Sequence, residues 1–227
     1  MNKVNSEELV VIRHMLQSGI RLDERRAHEH RSYKTREDNL PLYDANVSVS
    51  LGNSELTLYF RYSETSRIVE TDMQDSISFD NFFVIKDRLY KLFDVFKLGC
   101  IVEYKVIRDD GSLLSLFYSA FDRILRSIKL PYICDNYEFV KDKNDNLVFK
   151  TANSDYFVKM DSVNAITYGL IDDFCIIDPT FVEEQASDAV LTVLHQGDTM
   201  NGLYLFSEHG IALETLNRFL ENDLLPK

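Results

Sequence analysis

The sequence predicts an α+β protein, and three patterns carry that expectation. Residues 45–60 alternate apolar and polar side chains on either side of Gly52, Asn53 and Ser54, the period-two signature of a β-hairpin. The stretch "SLLSLFYSAFDRILRSIKLP" is apolar around most of a helical circumference, through Leu113, Leu114, Leu116, Phe117, Ala120, Phe121 and Ile124, as a central helix should be. The second half consists of short strand-like runs parted by turn residues and closed by one amphipathic helix. Mixed sheets with a few long helices laid on them satisfy all three patterns.

Each element has its own signals. "SEELVVIRHMLQS", residues 6–18, reads as a helix: Asn5 or Ser6 caps it, Glu7 and Glu8 suit its positive end, and Gly19 stops it. "RLDERRAHEHR" is polar and is expected to run over the surface. After the hairpin, residues 61–79 are irregular and polar, and residues 80–99 regain helical spacing. There Phe82, Ile85, Leu89, Leu92, Phe93 and Phe96 share one face, Asp80 caps the start and Gly99 ends it. "CIVEYKVIR" reads as a strand, "DDG" as a tight turn, and Pro131 limits the central helix. "YEFVK" and "LVFKT" flank a turn at 143–146. "VNAITYGLI", "FCII", "AVLTVLH" and "LYLFSE" follow as strands, and "GIALETLNRFLEND", 210–223, as the last helix. One domain over 1–227 is expected, with an N-terminal helix to about residue 19 and halves meeting near 131–132.

Bulk properties narrow the function. The apolar runs are too short to cross a bilayer, so no membrane partner is expected, and the N-terminal residues lack the apolar core of a signal peptide. An intracellular protein is the expectation. Cys100, Cys134 and Cys175 are three in number, far apart and without metal-site spacing, so reduced thiols are expected in place of disulfides or zinc. The net charge of −12 is the wrong sign for a chain that binds nucleic acid unaided. Residues 13–36 depart from that average, with Arg13, Arg21, Arg25, Arg26, Arg31, Lys34 and Arg36 against Asp23, Glu24 and Glu29. Two readings stand: structural salt bridges, or a basic edge facing RNA or an acidic partner.

Several stretches together resemble one known family. "SGIRLDERRAHEHR" resembles the Arg-x-Asp-Gly-Arg opening of RNase PH-fold proteins, and "VSVSLGNSELTLYF" their first hairpin. "IRDDGSLLSLFYSAFDRILRSIKLP" resembles their Asp-Asp-Gly strand-to-helix element, and "AITYGLIDDFCIIDPTFVEEQASDAVLTVL" their long hairpin with Asp-Pro-Thr-x-x-Glu-Glu. All four occur in the family's order. The last is most similar to the non-catalytic RNase PH-like subunits that alternate with a second type in the ring of the RNA exosome. The resemblance implies an RNase PH-like fold of two βαβ-type halves packed as one compact unit. At Glu24 the family usually carries Gly; if that position needs positive φ, a Glu is costly and the local turn is expected to differ.

Phosphorolysis of RNA needs cationic or backbone donors for phosphate and an acid for the leaving 3′ oxygen. By the resemblance, Leu113 stands where the phosphate-binding arginine belongs, and leucine cannot hold an anion. Val182 stands where the first acidic-site aspartate belongs, while Asp188 is retained at the second. Glu183 points away if its stretch is extended, and can substitute if it is a turn. Arg88 matches an arginine that the family carries near the substrate path, read either as a solvated helix residue or as an RNA contact. Arg25, Arg26 and Arg31 are weaker RNA-contact candidates. His28-Glu29-His30 lacks the clustering of a metal site, His195 has no nucleophile beside it in sequence, and no Gly-rich phosphate loop is present.

The leading expectation is a catalytically inert exosome ring subunit of nucleus and cytoplasm, without cofactor, serving 3′→5′ RNA processing, rRNA included. Its implied partners are other RNase PH-like exosome subunits, S1/KH-type cap subunits, a hydrolytic exoribonuclease, and RNA threaded through the assembled channel. "LYLFSE" and residues 210–223 would pair with neighbours. The rival is a divergent phosphorolytic 3′→5′ exoribonuclease using Asp188 with Glu183 or Glu184. A third reading is an unrelated α+β interaction module.

Overall fold

The computed structural model describes residues 4–38, 40–63, 67–70, 99–127, 138–141, 147–150, 163–196, 199–208 and 210–220. The helix expected at 80–99, with Arg88, lies outside these residues except for Gly99, which begins a strand, and Cys134, Pro131 and the turn at 143–146 lie outside them too.

The N-terminal helix α1 spans Ser6–Gln17. Asn5 caps it by accepting from the Glu7 N–H, and Glu8 returns to the Asn5 N–H at 3.3 Å, a reciprocal capping box. Gly19 follows at φ +75°, the left-handed step that releases the chain from the helix.

The first sheet is built from β1 (Tyr33–Glu37), β2 (Ala45–Leu51), β3 (Ser54–Ser63), β4 (Arg67–Glu70) and β5 (Gly99–Arg108). Its order is β1-β2-β3-β5-β4, antiparallel except for the parallel pair β4–β5. The hairpin register sets Val47 opposite Leu58 and Val49 opposite Leu56, so the alternation read from the sequence becomes one buried face. Residues 67–70, expected to be irregular, form a strand instead. A short strand at a sheet edge carries little periodicity by which to be recognised.

The central helix α2 (Leu113–Ser127) packs on β2 and β3 of this sheet and on β8 (Val163–Ile171) of the next. Leu116, Phe117, Tyr118, Ala120 and Ile124 are almost wholly buried on it, each large apolar side chain contributing roughly 1.5–3 kcal/mol. Tyr104 meets Phe117 edge-on at 5.5 Å between centroids. Ala165 and Leu194 join the same core from the second half of the chain.

After the β6–β7 hairpin (Glu138–Lys141 and Leu147–Lys150) comes the second main sheet. β8 is followed by β9 (Phe174–Ile177), helix α3 (Phe181–Ala186), β10 (Ala189–Gln196), β11 (Thr199–Phe206) and helix α4 (Leu213–Phe219). The order β11-β10-β8-β9 is antiparallel throughout. β9 and β10 therefore run parallel on either side of β8, joined by α3: a split β-α-β unit. The last helix starts at Leu213, three residues after Gly210, itself at φ +77°. Phe219 and Leu216 seat α4 on this sheet. Ile12 and Leu16 of α1 pack with Ile171, Ile176 and Ala186 in a third cluster that brings α1 against α3. No helix among the described residues is long and apolar enough to cross a membrane.

Candidate functional site

The acidic stretch 178–188 forms a bend and a short helix. Asp178 adopts φ +53° and Pro179 turns the chain into Thr180, the N-cap of α3. The Glu183 carboxylate accepts from the Thr180 N–H at 2.8 Å, completing a second capping box. Helical geometry turns Glu183 inward, where its carboxylate is fully buried and receives Arg21 Nε at 3.0 Å and Nη2 at 2.6 Å. Glu183 is thus neither extended nor open to substrate.

Residues 22–24, 26 and 28–30 are exposed, as expected of a surface run, but Arg21 and Arg31 at its two ends are buried. Arg21 also donates to the carbonyls of Ile177 at 2.8 Å and Asp178 at 2.9 Å. Arg31 grips Asp178 through Nε (3.0 Å) and Nη2 (2.6 Å), with its own N–H reaching the same carboxylate at 2.8 Å. Its Nη1 donates to the Asp110 carbonyl at 2.7 Å. Desolvation pushes the Asp178 carboxyl up, but the Arg31 hydrogen bonds and charge outweigh it and hold it below the ordinary carboxylate value. Arg31 therefore spends its donors in the interior. Arg25 is nearly as fully engaged, with Asp23 at 2.6 Å and Asp178 at 3.2 Å. Arg26 stays exposed, and Arg88 lies outside the described residues.

Glu24 stands at φ +62°. The turn takes the left-handed conformation that a glycine would favour, and the Glu carries the steric cost.

The Asp-Asp-Gly turn docks against the same bend. Gly111 sits at φ +82°, and a Cβ there would lie 2.5 Å from the backbone of Thr180 and Phe181, so only glycine permits the approach. Ser54 Oγ donates to the Gly111 carbonyl at 2.8 Å, and Glu184 accepts from the Ser112 N–H at 2.6 Å. Burial pushes the Glu184 carboxyl up to about 8; the Ser112 N–H opposes this and the Asp109 charge adds to it. Leu113, the first residue of α2, is 7% exposed and belongs to the core. Val182 packs with Ile12, Leu16 and Ile171. Both positions that the resemblance marks as vacated are filled by hydrocarbon.

Asp188 is half-buried at the end of α3. Arg13 of α1 holds it with two bonds, 2.5 Å to Oδ1 and 2.8 Å to Oδ2, and the Asp172 N–H adds a third at 2.8 Å. Desolvation raises the Asp188 carboxyl, but these donors bring it below the ordinary value. An aspartate so ionised and so occupied is a poor proton donor at neutral pH. Structural salt bridges, one of the two readings of residues 13–36, are present here, but which carboxylate meets which arginine is not legible because the partners lie far apart in the chain. Among the described residues no group of three His, Cys, Asp or Glu side chains is placed to hold a metal.

Residues 161–219 match the model of the 3′ exoribonuclease family, domain 2, and so contain the Asp-Pro-Thr bend, α3 and Asp188. The chain is similar in structure to an archaeal exosome core protein, at 16% identity and a TM-score of 0.70, over 95% of this chain and 91% of that one. It is similar to a chain of the Archaeoglobus fulgidus exosome with RNA bound to the active site, at 14% identity and a TM-score of 0.69, over 95% and 92%. Rice (Oryza sativa) Rrp46 matches at 15% identity and a TM-score of 0.60, over 88% of this chain and 91% of that one. No curated protein matches in sequence. The fold is RNase PH-like, of the kind found in exosome core proteins.

Proposed function

We propose that this chain is a catalytically inert, RNase PH-like subunit of an exosome ring that supports assembly and RNA threading in 3′→5′ RNA processing and degradation. The observation that carries the reading is the state of Asp188, the one retained acid: both its oxygens are taken by Arg13. Leu113, buried where an anion-binding arginine would be needed, agrees with it.

Assembly supplies the rest of the mechanism. Among the described residues β11 is an edge strand, and Met200 and Leu205 on it are exposed, with Leu213 of α4 70% exposed. Unpaired strand edges with apolar side chains invite pairing with another chain. Other RNase PH-like subunits would cover them, with S1/KH-type cap subunits and a hydrolytic exoribonuclease completing the machine in nucleus and cytoplasm. RNA would pass through the channel, where neighbours provide the positive field that a chain of net charge −12 lacks. Arg26, which is exposed, and Arg88 are the remaining candidates here for direct contact.

A second reading has one observation in its favour. Glu184 holds its proton to about pH 8, as a general acid must. A divergent phosphorolytic exoribonuclease would use it. The test is release of nucleoside diphosphates from single-stranded RNA by the purified chain in excess phosphate. The inert reading expects none. Release that is lost in Glu184→Gln or Asp188→Ala would replace it with the enzymatic one.

A further inference from the structure

A cleft of about 940 Å³ opens between α1, the start of β10, the end of β11 and the approach to α4. Its apolar lining comes from Val4, Leu9, Val10, Phe206 and Ile211. Val10 is 64% exposed and Phe206 46% exposed, so these side chains face outward in place of packing beneath the surface. The charged lining is one-sided: Asp172, Asp188 and Glu208 against Arg13 alone, while Glu184, whose carboxyl burial pushes up to about 8, adds no charge at neutral pH.

The charges are differently engaged. Arg13 is consumed by Asp188 and Asp172, so it presents no spare cation to a ligand. Glu208 is exposed and makes no ion pair among the described residues, and the Asp172 side chain keeps 59% of its exposure. The resulting surface is an apolar floor with an acidic rim. Such a groove favours a segment carrying apolar anchors flanked by cations, since apolar contact supplies affinity while the rim charges select the sign of the partner. The same rim opposes nucleic acid, whose phosphates would meet carboxylates.

We infer that this cleft docks a basic, amphipathic segment of a different protein chain, with leucine-, isoleucine- or phenylalanine-type side chains on Val10, Phe206 and Ile211, and lysine or arginine against Glu208 and Asp172. The inference goes beyond ring membership, because it specifies the chemistry of an occupant on a face of the isolated chain. α1 is placed for the task by Arg13, whose bonds to Asp172 and Asp188 hold the helix at the cleft wall.

The test is selection of a random-sequence displayed peptide library on the full-length chain, followed by fluorescence anisotropy of the enriched peptides. Enriched sequences are expected to place Lys or Arg beside large apolar residues. Val10→Asp should weaken them about tenfold, the equivalent of one lost apolar anchor. Glu208→Lys should weaken them several-fold, and rising salt should reduce binding further. Val10 and Glu208 are exposed, so both variants are expected to fold; unchanged circular dichroism checks it. The inference is overturned if nothing saturable is enriched, or if acidic peptides bind as well as basic ones. It is also overturned if neither variant alters binding, or if the cleft proves instead to bind single-stranded RNA or a second copy of this chain. The peptide assay needs no ring, so its failure leaves ring membership standing, and a chain found outside any ring could still bind the peptides.

Discussion

The Arg31–Asp178 junction and the Arg13–Asp188 pair use the same two side-chain types, each bidentate, and do different work. At the junction both partners are nearly sealed from water, with 6% and 4% of their side chains exposed. Arg31 there joins the Asp-Asp-Gly turn to the Asp-Pro-Thr bend through four different residues. At the pair the side chains keep 32% and 38% of their exposure, and Arg13 fastens a peripheral helix. What separates them is solvent, which decides whether a lost partner can be replaced by water. The bend that the resemblance links to RNA chemistry carries, in this chain, a buried clasp on one side and a surface latch on the other.

The comparison breaks most visibly at Arg31. Arg31→Ala leaves the buried Asp178 with Arg25, at 3.2 Å, and the backbone N–H of residue 31 as donors, and is expected to cost about 3 kcal/mol in chemical denaturation. Because the Asp178 carboxyl is depressed in the folded chain, its stabilisation is present above the unfolded value of about 3.9 and is lost as pH falls through the folded value. The variant should lack that acid-side loss. A cost below about 1 kcal/mol would mean that water reaches the junction.

Glu184 gives the next effect and the opposite sign. Its folded value, about 8, lies above the ordinary 4.5, so folding favours the protonated form between the two. Stability from this group is complete below the unfolded value and is lost as pH rises toward 8. Glu184→Gln, which keeps an oxygen for the Ser112 N–H, should flatten denaturation midpoints measured from about pH 5 to about pH 9 and exceed the wild-type chain at the alkaline end. An unchanged slope would show that the carboxylate form is accommodated by the 2.6 Å bond from Ser112.

Arg13→Ala is the mildest. With both partners partly solvated, about 1 kcal/mol is expected, with α1 loosened as seen by amide exchange. A loss as large as that of Arg31→Ala would make the latch a second clasp.

How much of this is legible in the sequence depends on the range of the interactions. α1, the β2–β3 hairpin and α2 can be read because their signals are local: the cap at Asn5, the turn at Gly52, the apolar circumference from Leu113 to Ile124. Arg21 and Arg31 cannot, because mixed charges at 21–31 look like any solvated loop until their partners, Glu183 and Asp178, are folded against them from far along the chain. Glu183 is ambiguous between an extended stretch and a turn, although the Thr180-x-x-Glu183 spacing does carry the capping-box signature of the helix that the structure shows. Glu24 departs from propensity altogether, holding a left-handed turn without glycine. β4, four residues long, offers too little periodicity to be found.

The most direct measurement is the native mass of a tagged chain recovered from its own cells. Ring membership predicts a heteromeric assembly containing other RNase PH-fold chains. A homo-oligomer of this chain alone, or a monomer, would contradict it.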